Sequence, residues 1–162
     1  MNSIHRNLAQ TKTIHVFVAL CDNQFQGIVP VPPTLGNGKN PKQNLYWGAL
    51  YGVRSYFKNK AKDWKFVKQI PSTDPKILDR VLFKHLKKEV YLLAEAYDGE
   101  HIKACIQDFL KASNAQNELR ISDSNRQLSF GGKSNLLAYV GHDGLMDFKV
   151  NINYNTNTKL RK

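Results

Sequence analysis

Leu136-Leu-Ala-Tyr-Val-Gly-His-Asp-Gly144 is an apolar run that stops at a histidine and an aspartate held between two glycines. A run this short, bounded by turn residues, reads as a buried strand, Leu136 to Val140. The strand then delivers one imidazole, His142, into a glycine-flanked turn. Histidine there is suited to general-base chemistry, because its unperturbed pKa of about 6.5 lets it take a proton near neutral pH. Flanking glycines let another backbone approach closely.

Working outward, Thr13 to Leu20 is a second buried strand, β-branched and nearly all apolar, ending in Cys21-Asp22-Asn23-Gln24. Gly27 to Pro41, punctuated by proline and glycine, is a long irregular loop of the kind that usually serves function. Asn44 caps an expected helix over Leu45 to Phe57, with Leu45, Ala49, Val53 and Phe57 on one stripe. Trp64 to Ile70 reads as a strand. Ser72-Thr-Asp74-Pro75 has the form of a helix start, and Ile77, Leu78, Val81, Leu82 and His85 give that helix an apolar face. Val90 to Ala96 fits either strand or helix. His101 to Ala112 is amphipathic, with Ile102, Cys105, Ile106 and Phe109 inward. Asn117 to Lys133 reads as a hairpin or loop excursion, and Leu145 to Tyr154 as a short strand or hairpin.

Strands alternating with helices predict an α/β domain: a mostly parallel sheet with helices on both faces. The expected organisation is a disordered segment over 1–12, the domain over 13–154, and a basic polar tail over 155–162. In such sheets, sites form at the carboxyl ends of strands. Cys21-Asp22-Asn23 and Gly141-His142-Asp143-Gly144 both stand at such ends.

The chain has 162 residues, 41% of them hydrophobic, enough for one sizeable core. No apolar run is long enough to span a membrane, and residues 1–10 lack the apolar core of a signal peptide. The expectation is a cytoplasmic protein as encoded, with export of a longer form left open. Two cysteines are too few for a disulfide framework, and His5, His15, His85, His101 and His142 are too scattered for a zinc site. No metal or cofactor is therefore expected. Net charge is +11, with lysines clustered at Lys58, Lys60, Lys62, Lys65 and Lys68 and again at Lys84, Lys87 and Lys88. Such a surface attracts nucleic acid, although a solvated lysine-rich face is the simpler account. Trp64 and Phe66 alternate with polar residues as core-facing strand residues do, rather than as a base-stacking platform.

Together, the first strand, the helix after it, the helix over His101 to Ala112 and the strand into Gly141-His142-Asp143-Gly144 resemble the caspase, metacaspase and legumain group of cysteine peptidases. Tyr97-Asp-Gly-Glu-His-Ile-Lys-Ala104 is similar to the start of the helix that precedes the histidine strand in that group. The resemblance implies a parallel sheet that presents a His-Gly motif at one strand end and the nucleophilic cysteine at the next. It assigns His142 as general base. It also implies an oxyanion-binding N–H from the glycine after the histidine, here Gly144, with Asp143 inserted between them as an alternative donor. Asn23 would orient the imidazole, with Asp22 as the other candidate. Cys21, at the neighbouring strand end, is a weak candidate nucleophile; Cys105 reads as core. The caspase spacing places the nucleophile about 50 residues beyond the histidine, and no cysteine follows His142 in this sequence.

These readings converge on a truncated or degenerate peptidase domain that cleaves peptide bonds through a Cys–His dyad when completed. Its expected partners are a peptide substrate and a second copy or complementing chain along an exposed sheet edge. The alternatives are a non-catalytic interaction module of the same fold and a basic nucleic-acid-binding domain. No membrane partner is expected.

Overall fold

The computed structural model describes residues 10–153. The expected tail over 155–162 and most of the expected N-terminal segment lie outside these residues.

A five-stranded sheet in the order β2-β3-β4-β1-β7 forms the centre. Its parallel part is β4 (Val90–Tyr97), β1 (Lys12–Ala19) and β7 (Leu136–Val140). The other two strands, β2 (Trp64–Gln69) and β3 (Ile77–His85), run antiparallel. The expected mostly parallel sheet is thus a mixed one, because the segment after Ser72 is a strand and not a helix. Asp74 caps only a tight turn there: its side chain accepts from the Lys76 amide and its carbonyl from the Ile77 amide. Val81, Leu82 and Phe83 are consecutive and all fully buried. Covered on both faces, a strand loses its alternation, and its apolar residues can mimic helical spacing.

The expected helix over Leu45 to Phe57 is also shorter. Residues 44–52 form a series of turns in which Trp47, Gly48 and Ala49 all donate to the Asn44 carbonyl. Only α1 (Val53–Asn59), starting after Gly52, is α-helical. The amphipathic helix is observed as α2 (Ile102–Ser113), and the excursion is a hairpin of β5 (Leu119–Asp123) and β6 (Arg126–Phe130). The segment after residue 144 forms a single 3-10 turn and then irregular chain to residue 153, not a strand.

Alternation along β1 divides the core. Val16, Val18 and Leu20 pack with Trp47, Val81, Phe83 and partly buried residues of α1. On the opposite face, Phe17 and Ala19 pack with α2, and next to them Leu82, Tyr91 and Leu93 pack under the hairpin. Trp64 and Phe66 belong to the first cluster, as their spacing predicts.

Candidate functional site

Because β4, β1 and β7 are parallel, their carboxyl ends open on one side of the sheet. Each exit needs acceptors for the amides that leave the ladder, and each supplies an aspartate. The Asp22 carboxylate accepts from the Gln24 and Phe25 amides, Asp98 from Glu100, and Asp143 from Leu145. Such Asx turns end the strands and set the loops.

His142 follows β7 directly through Gly141. Its side chain is 29% exposed, and its Nε2 lies 2.9 Å from the Asp147 carboxylate. The turn is tied from below: the Tyr139 hydroxyl donates to the His142 carbonyl at 2.8 Å. Burial first, then nearby Cys105, holds the Tyr139 phenol well above its ordinary value, so it remains a donor. In the neutral ring, a carboxylate at Nε2 favours the tautomer protonated there, which leaves the lone pair on Nδ1. No described residue bonds Nδ1.

The other candidates are placed differently. Gly144 is buried, and its N–H donates to the His142 carbonyl at 2.9 Å. It closes the turn and has no hydrogen left for an oxyanion. The N–H groups of Gly141, His142 and Asp143 have no acceptor among the described residues, and of these Asp143 directly follows the histidine. Asn23 does not orient the imidazole either. Its amide bonds the Val31 carbonyl at 2.8 Å and the Val31 N–H at 3.0 Å, clamping the long loop. Close packing supports this clamp, since a Cβ at Gly36 would sit 2.3 Å from the Asn23 amide. Asp147 holds the place expected of Asn23; its signal in the sequence was only an acidic residue closing the turn.

Cys21 is fully buried. Burial, and then the neighbouring Asp22 charge, push its thiol up, away from the thiolate a nucleophile needs. Asn44 brackets it, accepting from the Cys21 N–H and donating to the Cys21 carbonyl. Cys105 is fully buried on the inner face of α2, and burial drives its thiol well above the ordinary range. Neither thiol of the chain is poised to react. Among the described residues no cluster of histidine, cysteine and carboxylate side chains has a metal-binding arrangement, and no helix is long and apolar enough to cross a membrane.

No family model matches the chain, and no curated protein or solved structure matches it significantly.

Proposed function

We propose that the chain supplies the base half of a peptide-hydrolysing Cys–His site, its thiol presented by a further strand laid along β7. The observation that carries this reading is the His142–Asp147 pair at the carboxyl end of a parallel strand, with no described residue bonded to Nδ1. The position of β7 supports it too: the strand ends the sheet order, and no described strand pairs with its outer edge.

The chemistry follows from that geometry. The thiol proton passes to His142 Nδ1, and the thiolate attacks the peptide carbonyl carbon. The Asp143 N–H is the local donor for the oxygen that becomes negative. Collapse breaks the C–N bond, and the amine leaves with the proton from Nδ1. Water then attacks the thioester, giving its proton to Nδ1, and the thiol is regenerated. Asp147 holds the imidazole in one tautomer and stabilises it when protonated, a positioning role.

The test uses the longest encoded form of the protein and a fluorogenic peptide library. Hydrolysis is expected that iodoacetamide blocks and His142→Ala abolishes. Asp147→Ala should lower kcat while leaving KM and thermal stability nearly unchanged, since an exposed pair contributes only about 0.2–1 kcal/mol. Hydrolysis that survives alkylation or His142→Ala refutes the proposal. No hydrolysis, combined with a strand peptide that still pairs on β7, would favour the interaction module instead.

A further inference from the structure

The amino ends of the same parallel strands carry a second concave feature. A groove of about 490 Å³ lies between the sheet and the turn of the β5–β6 hairpin. Lys65, Lys84 and Arg126 line it, with Asp123 as its one acidic wall residue and the exposed Ser124–Asn125 turn at its rim.

The arrangement of charge is unusual. Lys65 on β2 is the direct cross-strand partner of Lys84 on β3. Like charges placed directly opposite on one face repel. Counter-charge is scarce: Glu89 alone serves both Lys84 and Arg126. Lys65 is exposed and has no acidic partner among the described residues. Next along β2, the Lys68 ammonium donates only to a neutral acceptor, the Ser122 carbonyl on the hairpin. The Lys84 ammonium sits 5.3 Å from the centre of the Tyr91 ring, which fixes its stem against the sheet.

We infer that this groove binds the phosphodiester backbone of a single-stranded nucleic acid. Three features favour that ligand. The lining cations come from three strands, Lys65 on β2, Lys84 on β3 and Arg126 on β6, which suits successive phosphates better than a single anion. The lining carries no exposed large apolar side chain for insertion into a bilayer. Exposed amide and hydroxyl groups of Ser124 and Asn125 add neutral hydrogen bonding at the rim. Tyr91 is buried and Trp64 and Phe66 pack into the core, so no aromatic face is open to stack on bases. Recognition is therefore led by phosphate and indifferent to sequence.

Fluorescence anisotropy tests this with a labelled, mixed-sequence single strand of roughly a dozen nucleotides. The logarithm of the binding constant should fall with log salt at a slope near −2, about −0.7 for each of three phosphate contacts. Lys65→Glu should weaken binding by about tenfold and flatten that slope by roughly one contact. Lys42→Glu makes the same charge change at the other end of the sheet and should leave binding within about twofold. Circular dichroism melts of both variants guard against misfolding; Lys65 is exposed, and no change is expected.

Equal weakening by both variants would reduce the effect to net charge and overturn the site. So would absence of binding at low salt. Tighter binding to phosphatidylserine vesicles than to the oligonucleotide would overturn it in favour of a membrane surface. Displacement of the oligonucleotide by inorganic phosphate at matched phosphate concentration would reduce the groove to a single-anion site. None of these outcomes depends on His142.

Discussion

Glu95→Gln tests the buried ionic network that joins β1, β3 and β4. Glu95 is 2% exposed. One carboxylate oxygen is 2.9 Å from His15 Nε2 and the other accepts from Arg80 Nε at 2.6 Å. The Gly131 N–H donates to His15 Nδ1 at 3.0 Å, so Nδ1 is an acceptor and the His15 proton sits on Nε2, aimed at Glu95. Glutamine keeps the shape but removes the charge that compensates Arg80, whose side chain is 11% exposed. Removing one partner of a buried pair costs about 3–5 kcal/mol. That is a large share of the roughly 5–15 kcal/mol that stabilises a domain. For a chain of this size, about 2–4 °C per kcal/mol turns it into a drop in Tm of roughly 6–20 °C. Urea unfolding and thermal melts followed by circular dichroism read both quantities.

Acid supplies an independent check. Burial alone would raise the Glu95 carboxyl, but the hydrogen bond from His15 and the Arg80 charge outweigh it and hold the group below its ordinary value of 4.5. A carboxyl depressed in the folded state contributes stability fully above its unfolded pKa and loses it as pH falls through the folded one. The gap between wild type and Glu95→Gln should therefore be full at neutral pH and shrink from about pH 5 downward. A loss under about 1 kcal/mol, or a gap that widens in acid, would refute the account. The triple change His15→Leu, Arg80→Met and Glu95→Leu should restore part of the loss, because apolar replacements of a whole buried ionic group are commonly neutral or stabilising, less the cost of leaving the Gly131 N–H without its acceptor.

Two further outcomes are expected. Cys21 and Cys105 should resist a thiol-specific chromogenic reagent in the native protein and react stoichiometrically in guanidinium, since both are buried with raised thiols; rapid native labelling of either would contradict their burial. Asn44→Ala should destabilise by about 2–5 kcal/mol in urea unfolding, because the Asn44 amide serves the Cys21 N–H and carbonyl together with the Asn37 carbonyl; a loss within about 0.5 kcal/mol would mean these groups find other partners.

β1 and β7 were legible because both read as unbroken apolar runs; β1 is buried in the sheet centre, whereas β7 is a half-buried edge strand. Lys12–Ala19 and Leu136–Val140 differ from their expected bounds by a residue at most. Burial hid β3, whose Val81, Leu82 and Phe83 are all fully buried. Its polar residues Asp79 and Arg80 look like the wet side of a helix, yet Asp79 accepts from the Trp47 indole and Arg80 pairs with Glu95. Those partners are 32 and 15 residues away in sequence, out of reach of any periodicity. At the site, residue type pointed to His142, but hydrogen-bond geometry decided the roles around it. Nothing in the order Gly-His-Asp-Gly says that the second glycine's N–H closes the turn. Asn23 was indistinguishable in sequence from an imidazole partner until Val31 was seen to take both ends of its amide.

The charges at the two ends of the sheet share one physical origin. Parallel strands exit on the same side, and each exit recruits an aspartate to accept turn amides; Asp22, Asp98 and Asp143 therefore gather there for structural reasons. With only 13 acidic residues against 24 basic ones, the few acids at the other end, Glu89, Asp63 and Asp123, are outnumbered by its lysines and Arg126. Lys65 and Lys84 then face each other across β2 and β3 with one glutamate nearby. One end of the parallel strands holds His142 against Asp147, and the lysine- and arginine-lined groove lies toward the other end. The strands between the two ends, about 25 Å long at strand rise, exceed the screening length of roughly 8–10 Å, so the two ends can be altered and assayed independently.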